Sequence, residues 1–431
     1  MLKHLKLTNI GPADAELEFA DRLNLITGDN GLGKSFLLDI AWWAMTRKWP
    51  AEVNPRLTSG KVALPVDKKK AAKIDFSFAA VMRNKTHVSA FEPRLQNWKI
   101  PPGRPANPGL VFYAMADGSF AVWDPARNYW KTKAEQAADR PPAYVFSPNE
   151  VWDGLQREGG AWLCNGLIRD WAGWQKEKGR AFDNLTAVLA ALSPSSSEKL
   201  LPGALTRISL DDVRDMPTLK MPYGQEVAVV HASSGMRRII ALAYFLVWCW
   251  EEHLKAKILL GEDPELKATF LIDEVEAHLH PSWQRTIVPA LLQVMEKLTA
   301  SAQVQLIAVT HSPLVMASVE PMFDEEKDSW WDLDLKRQHE DKNPVVTFSH
   351  RPFVRLGDVS TWLVSQAFDL GSARSLEAEK LLQRAGQILS VEQVNHDEAR
   401  GLDRELRGVL GDTDPFWIRW RYVGEKQGWL E

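Results

Sequence analysis

Hydrophobic and polar residues alternate through much of the first third of the chain, as they do in strands that bury one face. This alternation predicts strands at residues 5–7, 17–19, 23–26, 72–82 and 143–146. A hairpin is predicted where two apolar segments, 110–115 and 120–123, flank Asp117 and Gly118. This part of the chain is therefore expected to be largely antiparallel β structure.

The spacing of apolar residues becomes helical over 150–192, and a small helical subdomain rich in tryptophan fits this region: Trp152, Trp162, Trp171 and Trp174. Residues 205–230 return to strand-like alternation. From residue 234 onward helices and strands alternate, with helices predicted over 234–255 and 282–298 and strands over 270–272 and 304–309. Such alternation is typical of a parallel α/β sheet. Pro289 is expected to kink the second of these helices.

Two apolar stripes near the C-terminus predict an αα-hairpin. One stripe consists of Ala378, Leu381, Leu382, Ala385, Ile388 and Leu389, and the other of Leu402, Leu406, Val409 and Leu410. No sustained heptad repeat runs through the chain, which excludes a long coiled-coil arm.

The bulk composition is that of a globular protein of 431 residues with a net charge of −4, so no overall charge draws it toward nucleic acid or an anionic membrane. One basic run, Lys68 to Lys70 with Lys73, is more typical of a solvated loop. The two cysteines, Cys164 and Cys249, are far apart, which favours a reducing compartment. The most apolar run, 239–250, is too short to span a bilayer. We expect a cytoplasmic protein without membrane contact.

A phosphate-binding loop is the strongest chemical signal. Residues 28–35 read Gly-Asp-Asn-Gly-Leu-Gly-Lys-Ser, which matches the Walker A pattern between a predicted strand and a predicted helix. Backbone N–H groups of such a loop surround a phosphate chain, and the helix start is positive. Lys34 would reach the β- and γ-phosphates of ATP and Ser35 would ligate Mg²⁺. Nucleotide contacts are predicted for Asn30, Gly31, Gly33, Lys34, Ser35 and Phe36.

Two further strand ends carry acid–base chemistry. The apolar segment that ends in Asp273 and Glu274 is a Walker B element, in which Asp273 would hold Mg²⁺ and Glu274 would accept a proton from the attacking water. Another predicted strand ends at His311, 38 positions after Asp273. This histidine is a candidate contact for the γ-phosphate and the water, and a strand-end histidine with a local hydrogen bond is the alternative.

A Ser-x-Gly segment, Ser233 to Gly235, opens the 234–255 helix and offers a second anion-binding helix start. The order of these motifs resembles that of ABC-class ATPases, with a degenerate signature whose Ser233 and Gly235 take the phosphate-contacting places. In that class ATP lies between two subunits. The resemblance therefore implies a homodimer or a higher homo-oligomer joined head to tail through an ATP sandwich.

The segment from Glu276 to Pro281 resembles the D-loop of OLD-like bacterial ABC ATPases. Its two histidines, His278 and His280, suggest a metal pair, but further ligands are missing at suitable spacing, and a D-loop at the dimer seam is preferred. The Q-loop is harder to assign, and Asn149, after the predicted strand 143–146, stands where glutamine is expected.

The resemblance implies an α/β fold: an ABC ATPase head with a P-loop core in a mixed sheet, an antiparallel β lobe, a helical insertion and a C-terminal helical hairpin. Four parts are predicted: an N-terminal ATPase lobe (1–149), a tryptophan-rich helical insertion (150–200), a C-terminal ATPase lobe with signature, Walker B and switch histidine (201–350), and a helical partner-docking candidate (351–431).

About 200 residues separate Walker A from the signature, and they contain predicted strands and helices rather than coiled coil. This arrangement resembles the AAA family ATPases of bacterial anti-phage operons, of Septu, retron-associated and PARIS type. The resemblance implies an ATPase that acts as sensor and scaffold for an effector nuclease, and the sequence leaves its rate of turnover open. The effector would be an HNH or a TOPRIM-like nuclease encoded in the same operon. The C-terminal aromatic segment 414–420, with Trp362 and Phe368, is a candidate docking surface, and a packed hairpin core is an equal alternative.

Other functions stay open at this point. An ATPase of DNA repair, or an OLD-type nuclease-associated ATPase, would act on DNA directly, and the sequence leaves contact with DNA undecided. A nuclease domain of its own would need a metal-binding acidic set, for which Asp332 and Asp334 are available without a suitably spaced glutamate strand. A surface turn between Trp331 and Lys336 is the preferred interpretation of that segment.

Overall fold

The computed structural model describes residues 1–79, 86–100, 107–128, 141–157, 159–299, 302–336, 344–391 and 394–430. The chain forms two compact units, Met1–Gly357 and Asp358–Glu431. The finer division into four parts stays a prediction.

The strands of the described residues all belong to the first unit: β1 (Leu2–Thr8), β2 (Ala15–Glu18), β3 (Leu23–Gly28), β4 (Lys73–Phe78), β5 (His87–Glu92), β6 (Asn97–Trp98), β7 (Leu110–Ala114), β8 (Phe120–Trp123), β9 (Tyr144–Phe146), β10 (Leu155–Gln156), β11 (Trp162–Cys164), β12 (Leu201–Pro202), β13 (Thr218–Lys220), β14 (Glu226–Ala228), β15 (Lys267–Ile272), β16 (Gln303–Val309), β17 (Asp328–Lys336) and β18 (Val345–Arg351).

The helices of the first unit are α1 (Lys34–Thr46), α2 (Pro50–Val53), α3 (Pro125–Asn128), α4 (Pro148–Asp153), α5 (Leu167–Glu177), α6 (Arg180–Ala191), α7 (Ser234–Leu260), α8 (Pro281–Gln284), α9 (Ile287–Thr299) and α10 (Pro313–Val319). Those of the second unit are α11 (Val359–Leu363), α12 (Leu376–Ser390), α13 (His396–Val409) and α14 (Phe416–Gln427). Within the described ranges, none of these helices is long and apolar enough to cross a membrane.

Within the described residues, two sheets of five or more strands build the first unit, beside two small sheets, β10-β11 and β12-β13-β14. The larger has the strand order β18-β17-β3-β16-β15-β7-β8-β9, in which β17, β3, β16, β15 and β7 run parallel to one another. The smaller sheet is antiparallel, with the order β2-β1-β4-β5-β6. The predicted hairpin is present as β7 and β8. The predicted fold class, a mixed sheet with a P-loop core and an antiparallel β lobe, is confirmed.

Helix α1 lies in the hydrophobic core that both sheets share. Its residues Leu37, Ile40, Trp42 and Trp43 belong to the same buried cluster as apolar residues of both sheets. A helix that is apolar on all sides is one that neighbours cover on all sides. This burial fixes the direction of α1, whose first turn contains the Walker A lysine and serine.

The helix predicted over 282–298 is interrupted, as Pro289 led us to expect, but the break lies at residues 285–286 rather than at the proline. The region forms two helices, α8 and α9, and Pro289 is the third residue of α9. The N–H groups of a first helical turn have no partner within the helix, so proline is tolerated there. The first intrahelical bond of this turn joins the amide of Ala290 to the carbonyl of Thr286.

The expected surface turn between Trp331 and Lys336 is wrong, because this segment is part of β17, which pairs with β3. Asp332 is buried, accepts a hydrogen bond from Thr27 at 2.9 Å and forms an ion pair with Arg351 at 3.1 Å. Its carboxylate therefore joins three strands of the sheet, a structural role that leaves it no part in a separate nuclease site.

The second unit contains the predicted αα-hairpin as α12 and α13, and α14 packs against both. Trp417 and Trp420 are buried in its hydrophobic core, together with Trp429. These two tryptophans therefore belong to a packed core, as the alternative interpretation has it, and docking of a partner on the segment 414–420 stays a prediction. The exposed apolar residues of α14 are Ile418 and Tyr422.

We expect Trp420→Ala to destabilise the second unit by about 3–5 kcal/mol, because it removes a fully buried ring and leaves Asp403 without the 3.0 Å indole hydrogen bond. Hydrogen exchange of the α12–α14 amides in the full chain measures this local stability. Tyr422→Ala is the control, since that side chain is 66% exposed on the same helix. Equal protection in the two variants would contradict the described core.

Candidate nucleotide site

The three predicted motifs meet at one edge of the large sheet. β3, β16 and β15 are adjacent and parallel, so the Walker A loop, His311 and the Walker B acids all follow the carboxyl ends of neighbouring strands. At about 4.8 Å per strand, β3 and β15 lie roughly 10 Å apart. Backbone bonds continue beyond the strands, from the amide of Thr310 to Ile26 and from Val275 to Val309. Ligands of open α/β sheets bind at such an edge.

The glycines of the loop have conformations that a side chain would oppose. Gly28 has φ 132°, and a Cβ on it would lie 2.2 Å from the carbonyl oxygen of Leu333 in β17. Gly33 has φ 93° and caps α1 without a side-chain hydrogen bond. Gly31 has φ 81° and no heavy atom within 4 Å of an added Cβ, apart from its chain neighbours. The loop is thus close-packed on the sheet side and open around Gly31.

Lys34 is the first residue of α1 and is buried. Its ammonium donates to the carbonyl oxygens of Gly28 at 2.8 Å and Asp29 at 2.6 Å. Burial lowers its pKa to about 8, against the opposing effect of nearby carboxylates, chiefly that of Asp273. Lys34 therefore remains mostly protonated at pH 7 and supplies a positive charge inside the loop.

Asp273 and Ser35 form a paired oxygen site. Burial raises the pKa of Asp273 to about 6, and its hydrogen bond with the Ser35 side chain acts in the opposite direction. The other carboxylate oxygen, Oδ1, is buried and has no hydrogen-bond partner among the residues that the structure describes. An unsatisfied carboxylate oxygen beside a hydroxyl is a donor set that suits Mg²⁺. These residues fit the ion that the sequence assigns to them.

Glu274 follows Asp273 with φ 46°, a conformation that is strained for glutamate and that clusters at functional sites. Its side chain is half-buried. Burial lowers the pKa of both Lys34 and His311, and the negative charge of Glu274 partly opposes this lowering at each, so the carboxylate lies near the loop and the histidine. This is the neighbourhood that a general base for ATP hydrolysis needs.

His311 contacts the Walker A loop. Burial and the charge of Lys34 lower its pKa, whereas a hydrogen bond with the backbone of Gly28 and the charge of Glu274 raise it. The net lowering keeps the imidazole neutral at pH 7. A neutral imidazole can donate and accept at once, so His311 suits a contact with both phosphate and water.

Glu276, the first residue of the predicted D-loop, makes contacts in the site that the sequence did not indicate. Its carboxylate accepts hydrogen bonds from the Thr310 hydroxyl at 2.7 Å and from the amide of His311. Glu276 thus joins the turn after Walker B to the turn that carries the histidine. No sequence pattern predicts this contact for an acidic residue three positions after Asp273.

Arg238 was also not predicted. Its guanidinium, in the first turns of α7, donates to the backbone carbonyls of Asp273 at 2.9 Å and Glu274 at 3.3 Å. It also donates to the carbonyls of Met115 at 3.3 Å and Ala116 at 3.0 Å, just after β7. Burial lowers the pKa of this arginine. We refer to these contacts as the Arg238 clamp.

The Ser-x-Gly segment begins α7 as predicted. Ser233 is the N-cap, accepts from the amide of Met236 at 3.4 Å and is exposed. Gly235 is buried, and an added Cβ would lie 2.5 Å from the carbonyl oxygen of His278. Gly235 is thus needed for close packing of α7 on the predicted D-loop, whatever else it contacts.

The remaining predicted positions have simpler surroundings. Asn30 is exposed, and Phe36 packs against Gly11 at the edge of the core. His280 caps α8 through Ser282, and the assignment of this segment to a D-loop at the dimer seam stays a prediction. The described part of the chain contains no group of three or more histidine, cysteine or acidic residues that could hold a metal ion.

The Q-loop assignment to Asn149 stays a prediction, and the strand before Asn149 is not adjacent to the Walker B strand. Asn149 follows β9, which lies five strands from β3, or roughly 24 Å at the usual strand spacing. The strand beside β15 is β7, and its carboxyl end leads to Met115 and Ala116, the residues held by Arg238. The end of β7 therefore occupies the place next to the Walker B strand.

A family described as "AAA domain, putative AbiEii toxin, Type IV TA system" matches residues 23–317, which include all four motifs. The chain belongs to this family. It is therefore a member of the AAA/ABC class of ATPases, a class that binds nucleotides. The roles of the individual site residues stay predictions.

Two curated relatives and one solved structure are similar to parts of the chain. It is 29% identical to the "Retron Ec83 probable ATPase" of Escherichia coli over 160 residues, 37% of this chain and 26% of the relative. It is 22% identical to the "Septu protein PtuA" of Bacillus thuringiensis over 315 residues, 73% of this chain and 72% of the relative. The "SMC head domain from Thermotoga maritima" has 14% identity and a TM-score of 0.38 over 82% of this chain and 99% of that one.

The chain spans about a quarter of the length of the retron ATPase that it matches. The relation to retron and Septu ATPases bears out the resemblance that the motifs suggested.

Proposed function

We propose that this protein binds ATP with Mg²⁺ between two copies of the chain, hydrolyses it, and controls an effector nuclease encoded beside it in an anti-phage operon. One observation carries the proposal: the Walker A loop, the Walker B acids and His311 follow adjacent parallel strands at one sheet edge. Lys34, Ser35 and Asp273 would hold the nucleotide phosphates and the ion. Mg²⁺, when bound, neutralises charge on the phosphates.

Hydrolysis requires a base near the γ-phosphate. We assign this step to Glu274, which would accept or orient the proton of the water, and to His311, which lies beside Gly28. The backbone strain at Glu274 supports a functional role, because such strain persists only where surrounding contacts hold it. Arg238 and Glu276 supply such contacts on either side.

Assembly around ATP is supported by the exposure of the Ser-x-Gly helix start. Ser233 caps a helix of 27 residues and is exposed, so a phosphate of a second chain can reach it. Helix N-termini bind anions through their free N–H groups and their positive dipole end. Two copies related by a twofold axis would form two such composite sites.

The effector partnership is supported by kinship with the retron and Septu ATPases. Co-expression of this chain with the protein encoded next to it, followed by sizing of the complex, tests the partnership. A stable complex with an HNH or TOPRIM-like nuclease is expected. If no adjacent product associates with the chain, with or without ATP, the scaffold role is overturned and the ATPase chemistry is unaffected.

Lys34→Ala should abolish or strongly weaken ATP binding, because it removes the charge inside the loop. Titration with a fluorescent ATP analogue and Mg²⁺ measures the affinity. Removal of a charged hydrogen-bond donor costs about 1.5–3 kcal/mol, or roughly 10- to 150-fold in affinity. Lys199→Ala is a control for loss of one lysine, since Lys199 is exposed. Normal affinity in Lys34→Ala would overturn the nucleotide assignment.

A further inference from the structure

The Arg238 clamp connects two parts of the site that serve different nucleotides in the proposed sandwich. Arg238 lies three residues after Gly235, in the helix start that would face the ATP of the second chain. Its guanidinium bonds the carbonyls of Asp273 and Glu274, which serve the ATP of its own chain. A shift of the helix start therefore moves Arg238, and with it the carbonyls of Asp273 and Glu274.

We propose that Arg238 is a positioning residue that couples the two ATP sites of the dimer. When the ATP of a second chain docks at the exposed Ser233, the Arg238 clamp sets the Walker B acids of the chain that contains this Ser233. The inference rests on the proposed function, since it needs two sites to couple. Arg238 would act through the backbone of Asp273 and Glu274, whose carbonyls its guanidinium bonds.

The geometry of the guanidinium suits this role. A planar fork with five N–H donors can hold several carbonyl oxygens at fixed relative positions, which a lysine ammonium cannot do. Here it gathers the ends of β7 and β15, two adjacent parallel strands, onto the first turns of α7. The carbonyls after these strands are thus satisfied by Arg238 of α7.

A second contact makes the connection rigid. The missing Cβ of Gly235 lets α7 approach the carbonyl of His278, which a side chain would meet at 2.5 Å. The segment from Asp273 to His278 is therefore held by α7 at both ends, by Arg238 at one and by Gly235 at the other. In addition, Glu274 and His278 both have positive φ, 46° and 62°. Because this strained turn is held at two points, we expect residues 273–278 to move together when the start of α7 shifts.

Arg238→Lys and Arg238→Gln test the coupling. We expect unchanged affinity for a fluorescent ATP analogue, turnover reduced by about 10- to 100-fold because the acids lose their position, and a Hill coefficient for ATP turnover that falls to unity. Arg22→Gln is the matched control: Arg22 is a partly buried arginine bonded to the carbonyl of Met322 and to Asp328, before β3 at the opposite edge of the sheet. It should lose stability without losing cooperativity.

Unchanged turnover and cooperativity in both Arg238 variants would overturn the coupling. So would an equal loss of cooperativity in Arg22→Gln, because the effect would then be one of general stability. Hydrogen exchange of residues 272–279 needs no turnover, and faster exchange in Arg238→Lys than in the wild type is expected. If the wild type does not hydrolyse ATP, the proposed function is overturned. Unchanged hydrogen exchange of residues 272–279 in Arg238→Lys would separately overturn the positioning role.

Discussion

Glu274→Gln is expected to slow ATP turnover by roughly 10²- to 10⁴-fold while ATP stays bound, as the loss of a general base does. The substitution keeps the size and hydrogen-bonding shape of the side chain but removes the charge that accepts a proton. The backbone at this position is held by Arg238, so the strained φ of 46° should persist. The variant should therefore fold, bind Mg²⁺ and ATP, and accumulate the ATP-bound assembly.

Single-turnover hydrolysis separates this chemical effect from slow product release. The same change on the exposed Glu177, at the end of α5, is the control and should leave turnover unaltered. A normal rate in Glu274→Gln would remove this residue from the chemistry. His311 would then be the remaining candidate for the base, because its lowered pKa keeps it neutral at pH 7.

The parts of the site that could be predicted are those that local sequence specifies. The Walker A loop depends on glycines with positive φ and on the lysine and serine that follow, and all of these lie within eight residues. The Walker B acids and His311 follow apolar strands, and strands of this kind meet at one edge when they are parallel. Hence the sequence was sufficient to assign the P-loop core and the order of the motifs.

The parts that could not be predicted depend on contacts between distant segments. Arg238 bonds the carbonyls of Met115 and Ala116, more than a hundred residues away. Every residue type has a backbone carbonyl, so the sequence does not show which carbonyl an arginine will bond. The contacts of Glu276 could not be predicted for the same reason, since one of its two hydrogen-bond donors is a backbone amide. The apolar–acidic alternation of β17 reads equally as a surface turn, until Thr27 and Arg351 are seen to satisfy Asp332.

Aromatic residues of the second unit illustrate a different limit. Tryptophan and arginine are enriched at interface hot spots, but they are common in small cores as well. Trp420 is buried with its indole N–H bonded to Asp403, and Arg407 pairs with the same carboxylate. Composition alone therefore does not distinguish a docking surface from a packed hairpin.

Ser233→Arg should abolish ATP-dependent dimers without unfolding the subunit, because a long charged side chain replaces a small exposed cap at the helix start where phosphate of the second chain would bind. Sedimentation in the Glu274→Gln background, where ATP persists, measures the dimer. Ser233→Ala controls for the cap alone, whose loss costs about 0.5–2 kcal/mol of helix stability. Dimers that form normally in Ser233→Arg would contradict the head-to-tail sandwich.

Mixing two inactive variants gives the decisive form of this prediction. Ser233→Arg keeps an intact phosphate loop, and Lys34→Ala keeps an intact helix start. In a head-to-tail dimer of one Ser233→Arg chain and one Lys34→Ala chain, the intact loop of the Ser233→Arg chain faces the intact helix start of the Lys34→Ala chain. This site is complete, and the other site carries both defects. Turnover should therefore reappear on mixing. If Ser233 served the loop of its own chain, each site of the mixed dimer would keep one defect and no turnover would return.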